Sequence, residues 1–522
     1  MSQDLTPETT VPADRPAEQP VDQAADQPLQ DRGGNRSLRP SSAQFLRFVT
    51  ADWAPRPPSG VIRAAVADRT PARRMALASG FTGQRLVIPA GRAQVRSNDT
   101  DFRFRPHAAF AHLTGLGMEQ EPEAVLVLHP VEDGSGEAGG THRPVLYLRP
   151  LSGRDTEEFF ADSSRGEFWV GARPTLEDMA TLTGIPTAHL DELRDALAKD
   201  AGADGVLLAV VPGVDEAVSA VVEEIRADEA AGARRDERLA EALSELRLVK
   251  DAHEIAEMRA AVATTIEGFE KVVRRLPAAT AHRRGERVVE GTFIGHARQE
   301  GNDVGYATIA ADGEHATTLH WTDNDGTVQP GQLLLLDAGV EIDSLYTADI
   351  TRTLPVDGRY TEAQRKVYQA VLDAADAAFA VIRPGIRFRD VHGAAMEVIA
   401  DRLASWGLLP VSAAESLHPD AQFHRRWMVH GTSHHLGIDV HDCAQARAEL
   451  YLDGVVQAGM VFTVEPGLYF KSDDLLVPAE LRGIGVRIED DVLVTADGAE
   501  NLSAALPRDP DAVEAWMAGL LG

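Results

Sequence analysis

Acidic side chains stand inside runs that otherwise read as buried strand, and nothing else in the sequence constrains the chain as much. Asp337 closes the apolar run Leu333–Leu334–Leu335–Leu336, and Asp349 opens Asp349–Ile350–Thr351–Arg352–Thr353. Glu465 lies in Phe462–Thr463–Val464–Glu465–Pro466–Gly467, and Glu489 in Val486–Arg487–Ile488–Glu489–Asp490. A buried carboxylate without a strong partner is costly. Four of them gathered together would repel one another unless cations held them. With His434 as the one imidazole, such an oxygen-rich set suits a pair of divalent metals, and its hardness points to Mn²⁺ over Zn²⁺. Two metals roughly 3.5–4 Å apart can share and deprotonate a water and polarise a carbonyl, which is peptide-hydrolysis chemistry.

Taken singly, each residue has a plainer reading. An Asp at a strand end is commonly a turn or cap residue, a Glu on a half-buried strand an ion-pair partner for a residue such as Arg487, and His434 beside His435 a packed histidine. No spacing matches the helical H-E-x-x-H pattern. The combination carries the reading.

At 522 residues the chain exceeds one ordinary core, so two domains and some loose sequence are expected. Residues 1–38, rich in Asp, Glu, Gln, Pro and Ala, read as a disordered acidic tail. Residues 39–230 alternate short apolar runs (124–128, 145–148, 206–211) with helical stretches such as 189–197, and predict an α/β layered domain. A charged helix over 231–249 reads as a linker. In 250–522 the pattern predicts a helix over 250–274, strands over 332–337, 458–469 and 483–495, and a helix opened by the capping box Thr361–Glu362–Ala363–Gln364 and ended by Pro384–Gly385.

A formal charge of -30 argues against a nucleic-acid partner. No run approaches the roughly 18 apolar residues of a membrane span. The start of the chain lacks a secretion signal's basic and apolar regions, and Cys443 is the sole cysteine. A cytoplasmic protein with no nucleic-acid or membrane partner is expected.

Four blocks in order, LLLLDAGVEIDSLYTADITRTLPVDG, MVHGTSHHLGIDVHD, GMVFTVEPGLYF and RGIGVRIEDDVLVT, resemble the pita-bread metallopeptidase family, and within it aminopeptidase P and prolidase. The resemblance runs from about residue 61 to the C-terminus. It implies a creatinase-like α/β N-terminal domain followed by an α+β pita-bread catalytic domain that holds two divalent ions. By motif, Asp337 would chelate one metal, Asp349 and Glu489 would bridge both, and His434 and Glu465 would complete the second site. Glu465 would also act as general base. His320 and His441 would hydrogen-bond the substrate and steady the tetrahedral intermediate, His430 would pack near the proline ring, and Arg487 would line the substrate site and orient the carboxylates. One departure stands out: Asp337 and Asp349 are 12 positions apart, one more than the family's usual spacing. An extra residue in the turn at 341–346 is tolerable, whereas one within a paired strand would turn Asp349 to the wrong face.

The N-terminal blocks VRSND and FAHLTGL resemble those of aminopeptidase P rather than methionine aminopeptidase. They imply a homo-oligomer, dimer or tetramer, in which Asp99 approaches the substrate amine from a neighbouring subunit and Trp169 closes the pocket; a loop cap and core packing are their plainer roles. The implied activity is release of the residue preceding proline, whose tertiary amide has no N–H for an ordinary protease to grip. Prolidase, cutting only Xaa-Pro dipeptides, shares the five ligands. A non-catalytic relative or a metal-independent creatinase-like hydrolase would be expected to lack some of them.

Overall fold

The computed structural model describes residues 42–98, 100–118, 120–132, 134–202, 205–226 and 229–522. The expected acidic tail and Asp99 lie outside these residues. The chain divides into two compact units.

The smaller unit takes residues 42–56, 95–102 and 152–173 from the described chain. Its centre is Glu167, whose carboxylate accepts from the guanidinium groups of Arg56 and Arg154, each at 2.5 Å. The Arg154 hydrogen bond, with Arg56 adding to it, holds this carboxyl down at about 2. Trp53, Phe159 and Phe168 meet one another edge to face in the same unit.

The larger unit begins with a five-stranded mixed sheet, in the order Thr187–His189, His142–Leu148, Val125–Pro130, Gln84–Pro89, Leu207–Val210. Its central strands carry the unbroken apolar runs Leu86–Val87–Ile88 and Val125–Leu126–Val127–Leu128, because both faces are covered there. Leu86, Ile88, Leu126 and Leu128 enter one core, and Val87, Val125 and Val127 the other. The helix expected as a linker, Glu229–Leu246, buries Leu239 and Leu243 in the first of these cores, so it is a packed layer and not a tether. Its charged face misleads, because only a narrow apolar stripe is needed to dock a helix.

In the rest of this unit, paired helices Ala252–Thr280 with Gly285–Glu300, and Glu362–Val381 with Phe388–Ser405, surround short antiparallel sheets. Asp251 and Glu254 form a capping box on the first of these helices, and Thr361 and Gln364 form another on the third. One large core unites them; each fully buried Leu or Phe in it contributes roughly 1.5–3 kcal/mol over an exposed one. Leu333–Ala338 is the middle strand of three, between Ile309–Asp312 and Ile350–Pro355.

The extra residue between Asp337 and Asp349 sits in the turn. Leu333 pairs with Pro355 and Ala338 with Ile350, and the same register continues to the bridge between Glu341 and Thr347. The N–H of Ile342 then donates to the carbonyl of Tyr346, leaving Asp343, Ser344 and Leu345 as the loop. This is a three-residue hairpin closed by a left-handed residue. Leu345 takes that conformation at φ 73° although it is a fully buried leucine. With the register unbroken, Asp337, Asp349 and Thr351 share one face.

Two expected long strands are each broken. Val461–Val464 pairs with Asp490–Val494, and Gly467–Tyr469 pairs with Gly485–Arg487. The gaps hold Glu465–Pro466 on one side and Ile488–Glu489 on the other. Pro466 has no N–H to carry the ladder on, and the N–H of Glu489 turns to the carbonyl of Thr351. Both glutamates therefore stand at a break in the sheet, where a side chain is freed from the regular alternation.

Candidate metal centre

Asp337, Asp349, His434, Glu465 and Glu489 come together around one cavity of about 600 Å³, which His320, His430, His441 and Arg487 also line. The imidazole Nε2 of His434 lies 3.3 Å from Asp349 Oδ2, 3.4 Å from Glu465 Oε1 and 4.0 Å from Glu489 Oε1. Ligand atoms of Asp349, His434 and Glu489 all fall within 4.8 Å of one another. The sheet geometry just described produces this: two aspartates from one face of a hairpin, two glutamates from facing strand breaks.

Supporting groups hold the outer oxygens. The Tyr306 hydroxyl lies 2.6 Å from Asp337 Oδ1 and 2.5 Å from Asp349 Oδ1, so its one proton is shared between the two aspartates. Thr351 donates to Glu489 Oε2 at 2.6 Å, and Thr463 to Glu465 Oε1 at 3.3 Å. The guanidinium of Arg487 donates to Asp337 Oδ2 at 2.5 Å, to Thr351 and to the hydroxyl of Tyr469. It is buried, and each of its three nitrogens donates to one of the site's own groups, an arrangement that suits orientation of the carboxylates. Asp491 accepts the backbone N–H of Asp349 at 3.1 Å.

Sequence reasoning missed Tyr306, Thr463, Asp491 and Tyr469, and did not see that Thr351 is a partner. Thr351 was within reach, two residues beyond Asp349 on the same strand face. Tyr306 had no such signal, since it arrives from a loop 31 residues before Asp337.

The electrostatics expose a shortage of positive charge. Burial, with the neighbouring Asp349 and Asp337 charges, pushes the Glu465 carboxyl up to about 7 despite His434 and Arg487. Burial and the same crowd of carboxylates push Glu489 well up, and Asp337 is raised for like reasons. Burial would lower His434, but its hydrogen bond to Asp349, which accepts, and the charges of Glu465 and Asp349 raise it to about 9. Protonation is how such a cluster is relieved when no other cation is supplied. Four carboxylates and one imidazole around a cavity, with one guanidinium reaching them, form a donor set that fits a pair of hard divalent ions.

The three further histidines differ in their surroundings. His430 bonds the Tyr469 hydroxyl through Nε2 at 2.7 Å and the Gly431 carbonyl through Nδ1, and burial followed by the Arg487 charge lowers it to about 3. His441 meets the His434 ring edge-on at 4.4 Å and is lowered by burial and then by His434. His320 and His441 both present exposed rings. Trp169, in the smaller unit, is exposed and donates its indole N–H to the carbonyl of Phe160 at 2.8 Å.

Similarity to known proteins agrees with this geometry. Residues 256–496 match Metallopeptidase family M24, and residues 71–207 match the aminopeptidase P N-terminal domain. The chain is 48% identical to Xaa-Pro aminopeptidase 1 of Streptomyces coelicolor over the whole of both chains. It is 32% identical to the Xaa-Pro aminopeptidase of Escherichia coli, covering 85% of this chain and 96% of that one. The solved proline aminopeptidase P II from Yersinia pestis superposes with a TM-score of 0.72 at 31% identity, over 87% of this chain and 99% of that one. The chain belongs to metallopeptidase family M24 and is a hydrolase of peptide bonds. It is of the aminopeptidase P-like kind, with a creatinase-like α/β domain followed by the α+β pita-bread catalytic domain.

Proposed function

We propose that this enzyme is an Xaa-Pro aminopeptidase that releases the residue preceding proline from peptides of three or more residues, and that it works with two Mn²⁺ ions. The observation that carries the reading is the buried carboxylate cluster around His434, short of positive charge, at the bottom of a cavity ringed by three more histidines. Its similarity to the Xaa-Pro aminopeptidases of Streptomyces coelicolor and Escherichia coli supports the proline specificity.

Asp337, Asp349, His434, Glu465 and Glu489 would hold the metal pair. When bound, such a pair supplies Lewis acidity toward the scissile carbonyl and makes water nucleophilic near neutral pH. The remaining work falls to the chain. Glu465, whose burial and neighbours raise its proton affinity, takes the proton of the attacking water and passes it to the departing proline nitrogen. His320 and His441 hydrogen-bond the carbonyl oxygen as it gains charge. His430, fixed by Tyr469, packs beside the proline ring, and Arg487 with Tyr306 keeps Asp337 and Asp349 aimed inward.

Asp99 binds the substrate amine from a neighbouring subunit of a dimer or tetramer, and Trp169 shields the pocket. The enzyme acts on peptides in the cytoplasm. Among the described residues no helix is long and apolar enough to cross a membrane.

The test is to strip the protein with chelator, restore Mn²⁺, and follow an Xaa-Pro-Xaa tripeptide and the matching Xaa-Pro dipeptide by mass spectrometry. Metal-dependent release of the first residue from the tripeptide, with the dipeptide slow, is expected. Preference for the dipeptide would make the enzyme a prolidase, and cleavage of neither under any divalent metal would refute the catalytic reading.

A further inference from the structure

His320 reaches the cavity from the segment 313–327, which follows the strand Ile309–Asp312 and forms no ladder of its own apart from a short 3-10 turn at Gly313–Thr317. The feature that fixes this segment lies outside the cavity. Glu286, in the first turn of the helix Gly285–Glu300, is fully buried. Each of its carboxylate oxygens accepts two hydrogen bonds, and all four come from this stretch of chain. Oε1 takes the backbone N–H of Asp312 at 2.9 Å and the imidazole Nδ1 of His315 at 2.7 Å. Oε2 takes the indole N–H of Trp321 at 2.9 Å and the backbone N–H of Gly326 at 2.7 Å.

The clamp is tight. The His315 ring stacks on Trp321 with centroids 3.9 Å apart and planes at 23°. A Cβ at Gly326 would come within 2.7 Å of both Glu286 Oε2 and His315 Cε1, so the chain passes the carboxylate with only a glycine's clearance. One charged group therefore pins both ends of the segment and two points between them. Trp321, one of those points, is bonded in sequence directly to His320.

We propose that Glu286 is a positioning residue for catalysis, holding His320 in place through Trp321 and the clamped segment. The proposal rests on the reading of His320 as the group that meets the substrate carbonyl. Hydrogen bonds to an ionised acceptor are the strong ones, and a carboxylate can accept at all four places where an amide cannot. In Glu286→Gln the new NH₂ group faces the Trp321 and Gly326 N–H donors if it turns one way and the Asp312 N–H beside His315 if it turns the other. One side of the clamp must then open, and a misplacement of about 1 Å at a catalytic group can cost about 100-fold.

The experiment is a double-mutant cycle on the metal-loaded enzyme with an Xaa-Pro-Xaa substrate, using Glu286→Gln, His320→Ala and the double variant, with metal content measured for each. Glu286→Gln is expected to lower kcat about 10- to 100-fold with KM little changed and the metal retained. In the His320→Ala background the same substitution should cost almost nothing further, because residues that act through one another are not additive. A purely structural role would cost the same in both backgrounds, and that outcome would overturn the proposal while leaving His320's role intact. Full activity in His320→Ala alone would instead overturn the reading of His320, and the proposal with it. Should Glu286→Gln not fold, Trp321→Phe removes one donor and keeps the stacked ring. It should give a smaller loss of kcat with the same dependence on His320, and an additive loss would again refute the proposal.

Discussion

Glu489 and Asp490 are neighbours in sequence and both are buried, yet their acidities move in opposite directions. Burial pushes each of them up. At Asp490 the Arg352 charge, the Ser503 hydroxyl and Arg508 outweigh it, and the carboxyl ends below its ordinary range. At Glu489 the neighbouring Asp349, Glu465 and Asp337 add to burial, Arg487 opposes them without outweighing them, and the carboxyl ends far above it. The seam between the two sheet systems of the larger unit repeats the Asp490 arrangement. Burial of Glu254 is outweighed by His112 and Arg73, and burial of Asp442 by Arg247 and Lys250. At these three acids the chain supplies the cation itself. Where a metal is expected, it does not.

The largest expected effect breaks the comparison at its centre. Replacing Asp349 by Asn should cost about 10³-fold or more in kcat/KM, the several kcal/mol that correctly held metals supply. The fold should survive, since the change removes a charge from a crowded cluster. Thermal unfolding in chelator should show the variant no less stable than the parent. Undiminished turnover would overturn the metal assignment, and a collapsed apo protein would overturn the view that this cluster is under repulsive strain.

Next comes the opposite kind of site. Arg352 is fully buried, bonds Asp490 at 2.6 Å, and donates to the carbonyls of Glu489, Leu506 and Pro507. Arg352→Met would strand the Asp490 charge in the core, at a cost of about 3–5 kcal/mol. Urea unfolding of the metal-free protein should register it as a lower midpoint. An unchanged midpoint would mean that the pairing matters little and that the contrast with Glu489 says nothing about design.

How much of this was legible in the sequence follows from the same physics. The five proposed ligands could be read because carboxylates are conspicuous inside apolar strands, and strand alternation with an intact register carries Asp337 and Asp349 to one face. Three strands of the five-stranded sheet were legible as the apolar runs at 124–128, 145–148 and 206–211, whereas Gln84–Pro89 and Thr187–His189 were not read. The strand breaks at Glu465–Pro466 and Ile488–Glu489 were not read, although Pro466 was a signal that a ladder could not continue. Glu286, Tyr306 and Arg352 were illegible as partners. Each acts across a large gap in sequence, through packing that no local spacing encodes. The helix Glu229–Leu246 misled in the other direction, because its charges drew attention away from Leu239 and Leu243.

The smallest effect sharpens the comparison most, because it supplies the control. Asp312 is another buried acid with a raised carboxyl, pushed up to about 7 by burial with Glu286 adding to it, against the Gln329 N–H and His315. It stands outside the metal cluster, and its Oδ1 is buried without a partner. A raised acidity constant alone therefore does not mark a metal ligand; the crowd of carboxylates does. An unfolded Asp titrates near 3.9, so between about pH 4 and pH 7 the native state keeps a proton that the unfolded chain has lost. Stability from this group must then fall as pH rises through that window. Asp312→Asn should remove the dependence and gain about 1–3 kcal/mol above pH 7, read as the difference in urea midpoints between pH 5 and pH 8. If chelated and metal-loaded protein show the same gain, Asp312 is the isolated buried acid the comparison needs. A gain that appeared only without metal would tie Asp312 to the cluster, and the line drawn between lone and crowded carboxylates would have to move.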